Sequence, residues 1–355
     1  MIAVLQPHIP HYREAFFKGL NDYSSTKVYC YVSTESAERD NFKKADVETI
    51  FLKSYSIGPF MWYDLNPFLS KKVNTLVLML DFKHLSTWLL LLTQFIHGKK
   101  IILWGQGISI KNFLKQEKTT FLPLKLFLKL SDGVWCYTTK ELDMWKKRMP
   151  ALNAVALNNT ISGIADILKV PMLYTHDKEV LKEKYGIKQP LILIFCARFN
   201  AVRRIDLLLD VIEKVDSEKI GFVIIGSGEQ KPSFKNYAHV YDFGSVYDFS
   251  LKTELFSLSD IYFQPGWLGL SVVEAMAYGK PVFSFVRSKS VYQCVEYAYI
   301  GQGYNGELFN SKEELLDKLD KIKLKEIDRL GKNARDFCIT KLSINNMVQN
   351  AVSLL

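Results

Sequence analysis

The stretch Ser259–Phe285, SDIYFQPGWLGLSVVEAMAYGKPVFSF, decides the fold. A β-branched and aromatic run, DIYFQP (260–265), leads into a loop with glycines at Gly266 and Gly269. An Ala/Met-rich helix starts near Leu270–Ser271, Gly279 punctuates its end, and PVFSF (281–285) is a second strand. Strand, glycine loop, helix and strand in so short a span make a crossover unit, and crossover units build parallel sheets covered by helices.

The same alternation continues outward. LILIFCAR (191–198) reads as a strand, RRIDLLLDVIEKV (203–215) as a helix, and IGFVIIGSG (220–228) as a strand ending in glycines. HVYDFG (239–244) and a helix over 249–258 follow, and from about 311 the chain is helical, with KEELLDKLDKIK at a 3.6-residue period. The first half repeats the plan: strands at IAVLQ (2–6), KVYCYV (27–32), TLVLML (75–80), KIILW (100–104) and GVWCYT (133–138), with helices near 12–22, 86–97 and after 138. The reading is an α/β chain of two Rossmann-like, doubly wound domains. At 355 residues the chain exceeds one ordinary core. The N-terminal domain is placed at 1–160, a linker at 161–188 where the pattern loosens between prolines, and the C-terminal domain at 189–355, its last helix packing back on the first domain. Strand order is not readable from periodicity.

The chain is basic, with 46 Lys and Arg against 37 Asp and Glu. This favours anionic partners: phosphates, nucleic acid or an acidic membrane. No nucleic-acid-binding motif accompanies the charge. The five cysteines have no C-x-x-C spacing and read as free thiols in a reducing compartment. No signal peptide opens the sequence, and the greasiest run, STWLLLLTQFI (86–96), is half of what a bilayer requires and reads as a buried helix. A cytoplasmic protein is expected, with membrane contact only at its surface.

Three constellations carry chemistry. The opening loop brings backbone N–H groups to the positive end of a helix, where an anion sits well, and Glu274 lies one turn inside. That carboxylate either accepts hydrogen bonds from vicinal hydroxyls, as on a ribose, or only offsets the helix dipole. In CARFNAVRRIDLLL (196–209), Arg198 leaves a strand and Arg203 and Arg204 open a helix. Cations are unfavourable there unless a diphosphate lies among them; a solvated basic turn is the alternative. In VIIGSGEQ (223–230), Gly226 and Gly228 form either a donor-binding turn or a tight connection. There is no G-x-G-x-x-G opening a helix and no Walker sequence, so neither NAD binding nor a P-loop is supported.

In their order and spacing, ARFNAVRRIDLLL, FVIIGSGE, VYDFGSVYD and SDIYFQPGWLGLSVVEAMAYGKPV resemble the C-terminal domain of retaining glycosyltransferases of the GT-B fold, the family 4 group. QPHIPHYREAFFKGL, ILWGQG and NNTI agree more loosely. The resemblance implies that Arg198 and Arg203 grip a donor diphosphate. It implies that Gly269, Leu270, Ser271, Val272 and Val273 cradle phosphate and sugar hydroxyls, and that Glu274, the second acid of a Glu–seven residues–Glu motif, holds the ribose. Backbone near Val246 would meet the base, with Gly226 in the same donor set. Glu296 matches a family Glu, for donor contact or for helix packing. Gly266 stands where the first acid is expected, a Pro-Gly variant of the motif. Gln106 stands near the place of a family His and can hydrogen-bond but not act as a base. His8 and His11 lie after the first strand, for acceptor or phosphate contact or as helix caps, with Arg13 beside them or at the surface.

The implied activity is metal-independent transfer of a sugar from a nucleotide diphosphate, UDP slightly ahead of GDP or dTDP, to a glycan acceptor, expected to be lipid-linked, in bacterial surface polysaccharide synthesis. No cofactor is implied. The donor would lie on the C-terminal domain and the acceptor on the N-terminal one. The basic–apolar segment 111–130, with Lys111, Lys115 and Lys118 at helical spacing, is either a peripheral contact with anionic membrane or a helix packing its Leu/Phe face beneath solvated lysines. Alternatives are a catalytically inactive nucleotide-sugar-binding or partner subunit and a nucleotide-sugar epimerase of the same fold.

Overall fold

A computed structural model describes residues 1–33, 45–116, 121–172 and 175–355. Two compact units form, one from Met1–Gly163 with Ser343–Leu355 and one from Ile164–Leu342. The segment 161–188 is largely helical where described, over Ile164–Lys169 and Thr175–Lys184, and from Ile164 onward it belongs to the second unit. Lys118, named above in the basic–apolar segment, lies outside the described residues.

The first unit holds strands β1 (Ile2–Gln6), β2 (Thr26–Cys30), β3 (Thr49–Phe51), β4 (Ser54–Ile57), β5 (Phe60–Tyr63), β6 (Thr75–Met79), β7 (Lys100–Trp104), β8 (Gly133–Cys136) and β9 (Ala154–Ala156). Seven of them make a parallel sheet in the order β3-β2-β1-β6-β7-β8-β9, and β4 and β5 pair as a separate antiparallel hairpin. Alternate residues of β1 serve opposite faces, as a two-residue period requires. Ala3 and Leu5 join one core with Tyr63, Phe68 and Leu103, while Ile2 and Val4 join another with Phe16, Trp104 and Trp135. In the second core the Phe16 ring lies 5.3 Å from Trp104 and 6.2 Å from Trp135. The C-terminal helix Ile344–Val352 closes this face through Met347 and Ala351. It crosses helix Glu14–Tyr23 so closely that a Cβ at Gly19 would meet Val348 Cγ2 at 2.8 Å.

The segment 86–97 departs from the buried helix expected of it. It breaks into Leu85–Leu92 and Gln94–His97, and only one side is covered. Ser86, Thr87, Leu90 and Leu91 face inward, whereas Leu89, Leu92, Phe95 and Ile96 face solvent. The hairpin β4–β5 covers the inner side: Tyr63 exchanges hydrogen bonds of 2.8 Å with Ser86 Oγ, and its hydroxyl lies 2.8 Å from Thr87 Oγ1. Among the described residues no helix is long and apolar enough to cross a membrane.

The second unit holds β10 (Leu191–Cys196), β11 (Ile220–Ile225), β12 (Val240–Asp242), β13 (Ile261–Phe263), β14 (Val282–Phe285) and β15 (Gly306–Phe309). All pair in parallel, in the order β12-β11-β10-β13-β14-β15. Leu193, Phe195, Phe222, Ile224 and Phe283 meet Leu208, Val211 and Ile212 of helix Ile205–Lys214 on one face. Both six- and seven-stranded sheets thus reverse direction beside their first strand, the doubly wound pattern. In such sheets ligands bind outside the carboxyl ends of the strands at the reversal, between β10 and β13 in the second unit and between β1 and β6 in the first.

Candidate functional site

The reversal in the second unit puts the loops after β10 and β13 side by side. Arg198 follows β10 directly and is exposed. Arg203 ends the 3-10 turn Ala201–Arg203, and its Nη1 donates to Trp267 O, 3.4 Å away in the glycine loop. Its Nε is buried and unmatched. Burial lowers the pKa of this guanidinium, Tyr262 opposing. A buried donor on a cation with no acceptor is costly until an anion supplies one. Arg204 takes a different course from its neighbour. It sits in the left-handed region at φ 56°, pairs with Asp206, and donates to Ser290 O at 2.9 Å.

The glycine loop is held from beneath by amides that sequence patterns did not single out. Gln264 is fully buried; its Nε2 donates to Gly266 O and Trp267 O at 2.8 Å each, and its Oε1 accepts from the Tyr262 hydroxyl at 2.6 Å. Gln293, also fully buried, accepts from Leu268 N at 2.9 Å and donates to Phe285 O at 2.9 Å and Ser284 Oγ at 3.1 Å. Ser284 Oγ donates to Gln264 O at 2.7 Å. This network fixes Trp267 at φ 52°, a conformation that a bulky residue rarely takes without such support.

Gly266 is buried against the turn that carries the arginines. A Cβ there would lie 3.0 Å from Val202 O and 3.2 Å from Arg204 Cγ. The close approach gives a steric account of the glycine: a carboxylate side chain at this position would require the Val202–Arg204 backbone to give way by a few tenths of an ångström. Gly269, by contrast, faces open space within 4 Å.

Helix Ser271–Ala277 follows. Its first turn is tight: Val272 N donates to Gly269 O and Val273 N to Leu270 O, each at 3.0 Å, and both valine side chains are buried. Those two amides are therefore engaged within the turn, and the forward edge of the loop is Gly269, Leu270 and Ser271. Ser271 Oγ donates to Gln264 Oε1 at 3.3 Å. Glu274 is largely buried and takes Lys252, on helix Phe249–Leu258, as an ion-pair partner at 2.7 Å. Burial opposes the Lys252 charge, but Cys196 and Glu274 more than offset it and hold its pKa above the ordinary lysine range. Burial pushes the Cys196 thiol up to about 12.

Gly226 has φ 142°, and a Cβ there would lie 2.0 Å from Ala197 O, so only glycine fits this strand-end turn. Its N–H donates to Gly244 O at 2.7 Å, joining the turn to the loop that carries the buried Val246. Glu296 is buried in the 3-10 turn Val295–Tyr299, next to Cys294, whose thiol burial and the Glu296 charge raise to about 12.

In the first unit, His8 lies after β1 and is half-buried, whereas His11 is exposed on the 3-10 turn His11–Arg13. Helix Glu14–Tyr23 has Arg13 at its N-cap, with no side-chain cap hydrogen bond from it. Arg13 lays its guanidinium over Trp104, 4.8 Å from the ring centroid, and over Tyr137 at 5.6 Å. Gln106 sits on the loop after β7, where its carbonyl accepts from Trp145 Nε1 at 3.4 Å. A further titratable group at this strand end had no sequence signal. His84, after β6, is buried among Tyr31 and Tyr63, has an unmatched Nδ1, and has its pKa lowered by burial, with Asp81 opposing.

Two arginines, a rigid loop edge and a paired carboxylate therefore converge at one strand-end reversal, a set suited to an anionic ligand bearing hydroxyls. Residues 177–337 match the family model of the Glycosyl transferases group 1. The match spans the β10–β15 sheet and every one of these residues. Among solved structures, Anabaena Alr3699/HepE in complex with UDP resembles the chain at 13% identity over 99% of this chain and 98% of that one, with a TM-score of 0.67. A glycosyltransferase from Rickettsia africae gives 15% identity, 99% and 97% coverage and a TM-score of 0.65. The E. coli trehalose-6-phosphate structure bound with UDP-2-fluoro glucose gives 12%, 99% and 98%, and 0.62. No curated protein matches the chain. The chain has the GT-B fold, and residues 177–337 within it match a glycosyltransferase family model.

Proposed function

We propose that the protein is a retaining, metal-independent glycosyltransferase that moves a sugar from a nucleotide diphosphate to a lipid-linked glycan in bacterial surface polysaccharide synthesis. UDP is the preferred nucleotide, ahead of GDP and dTDP. The observation that carries the reading is the buried, unmatched Nε of Arg203 beside the Trp267 carbonyl, one loop away from Glu274.

In this reading Arg198 and Arg203 neutralise the diphosphate, the loop edge Gly269–Ser271 meets phosphate and sugar hydroxyls, and Glu274 accepts hydrogen bonds from the ribose. Gly226 and the Val246 backbone border the base, and Glu296 faces the donor side. The bond from the anomeric carbon to the diphosphate oxygen breaks, and the acceptor oxygen forms its bond on the same face. The acceptor proton passes to the departing phosphate oxygen, so no side-chain base is required, and Gln106 only hydrogen-bonds. Charge stabilisation on the leaving group is the main protein contribution. His8, His11 and Arg13 serve the acceptor in the first unit. The protein works at the cytoplasmic face of the membrane, with 111–130 against anionic lipid.

The test is to incubate the protein with labelled UDP-, GDP- and dTDP-sugars and lipid extract, follow nucleotide release, and assign the product anomer by NMR. An α-linked product from an α-donor supports retention, and an inverted anomer refutes it. A second reading is favoured by Gly266 alone: a nucleotide-sugar-binding subunit without catalysis. Nucleotide binding with no turnover of any donor would select it.

A further inference from the structure

The turn after β6 brings together polar groups that the protein itself leaves unmet. Residues 81–84 fold tightly: His84 N donates to Asp81 O at 3.0 Å, and Asp81 Oδ1 accepts from Lys83 N at 3.0 Å. His84 then stands at the N-cap of helix Leu85–Leu92 without a side-chain cap hydrogen bond, so its ring serves something other than the helix end. The hairpin closes one side, through a bridge between Met61 and His84 and a 3.0 Å hydrogen bond from Met61 N to Lys83 O. Tyr63 and Tyr31 meet the imidazole edge-on, at 6.1 Å and 5.7 Å between ring centroids. His84 is only 5% exposed.

Of these rings, Tyr63 is satisfied and the other two are not. The Tyr63 hydroxyl meets Thr87 Oγ1 at 2.8 Å. His84 Nδ1 is sealed with no partner; Nε2 makes no hydrogen bond either but is not sealed. A sealed, unmatched polar nitrogen costs free energy that a phenyl ring would not, so the imidazole is accounted for by its other nitrogen. Unmatched acceptors are tolerated better than unmatched N–H groups, which puts the proton on Nε2 and makes it a donor. Burial lowers the pKa of this ring, with Asp81 opposing, and keeps it neutral at pH 7. The half-buried Tyr31 makes no side-chain hydrogen bond; burial and then Asp81 raise its pKa, so it keeps its proton. Asp81 Oδ2 has no partner among the described residues.

Two neutral donors and a carboxylate acceptor beside aromatic rings suit a hydroxyl-rich, uncharged ligand. The carboxylate takes hydroxyl protons, and the imidazole and phenol donate to hydroxyl oxygens. Asp81 disfavours an anion. Among the described residues no three His, Cys, Asp or Glu side chains stand together to hold a metal ion.

We propose that His84, Tyr31 and Asp81 form a sugar-hydroxyl subsite at the carboxyl ends of β2 and β6 in the first unit. The subsite rests on the glycosyltransferase reading, whose acceptor side it deepens with residues other than His8, His11 and Arg13.

The test titrates methyl glycosides of glucose, galactose, mannose and N-acetylglucosamine into the full chain by saturation-transfer NMR, and UDP separately by calorimetry. Wild type should bind at least one glycoside. Asp81→Asn should weaken that binding about tenfold, and Tyr31→Phe about threefold or more. His84→Phe should weaken it about threefold or more while melting no lower than wild type, because it removes only an unmet group. Tyr31→Phe keeps the shape of the ring and serves if His84→Phe melts early. UDP affinity should stay at the wild-type value in all three variants, since the donor residues lie in the second unit. Binding of no glycoside by a wild type that binds UDP, or equal glycoside affinity in wild type and variants, overturns the subsite and leaves the glycosyltransferase reading standing. Glycoside binding that the variants lose, in a protein that binds no UDP, supports the subsite and refutes that reading.

Discussion

Lys252 Nζ lies 2.7 Å from Glu274 Oε1, and both side chains are largely buried. The proposed ribose carboxylate is thus already paired in the free protein. Removing one partner leaves the other buried and uncompensated. Lys252→Met should cost roughly 1–3 kcal/mol, and Lys252→Met/Glu274→Gln should recover much of that loss. Urea melts of the four-protein cycle read the coupling. UDP affinity separates the roles: Glu274→Gln should weaken it about tenfold or more by removing a charged hydrogen-bond acceptor.

Gly269 and Gly226 make a contrasting pair. A Cβ at Gly269 meets nothing within 4 Å, so Gly269→Ala should melt like wild type. If a diphosphate approaches that backbone, the same substitution should weaken UDP binding severalfold. Gly226→Ala must place a Cβ 2.0 Å from Ala197 O at φ 142° and should destabilise by about 3 kcal/mol or more. Paired melts and titrations of the two variants separate a ligand-facing glycine from a structural one.

Gln293 ties the glycine loop to β14 through Leu268 N, Ser284 Oγ and Phe285 O. Gln293→Leu fills the space but strands those partners, at about 2–4 kcal/mol by unmet hydrogen bonds. Hydrogen exchange at Leu268 should quicken in the variant, since its amide loses its acceptor.

Lys280 is buried in the turn just ahead of β14 and donates to Ser259 O at 2.7 Å and Ser257 O at 3.2 Å, at the end of helix Phe249–Leu258. Burial, with Lys178 next, pushes its pKa down from 10.5 to about 7. Between those values the unfolded chain binds more protons than the folded one, so this lysine makes stability rise with pH from about 7 towards 10.5. Below about 7 it is protonated in both states and its contribution to the slope vanishes. Relative to Lys280→Met, wild type should gain stability from pH 7 to 9.5 by up to about 1.4 kcal/mol per pH unit. Denaturant melts of both proteins across that range measure the difference.

The sequence made the parallel architecture legible, because each crossover repeats a strand, a turn residue and an amphipathic helix. Arg203 and the glycine loop were legible for the same reason: they sit at strand ends, where loops carry ligands. Lys252 was not, since its partner is 22 residues on and in another element, beyond any local period. Gln264 and Gln293 read as ordinary polar residues until the fold buried them beneath the loop. The open side of 85–97 was hidden because a run of leucines has no polar face to mark solvent. The hairpin β4–β5 escaped because its exposed face is aromatic, so the usual apolar-in, polar-out alternation is absent.

The central claim is that Arg203, Gly269 and Glu274 hold a nucleotide diphosphate on the second unit. Calorimetric titration of UDP into wild type and Arg203→Met tests it most directly. The account predicts saturable one-to-one binding by wild type, weakened by about tenfold or more in Arg203→Met, while the variant keeps its melting temperature. Equal UDP affinity in the two proteins, or no binding by wild type, would contradict it.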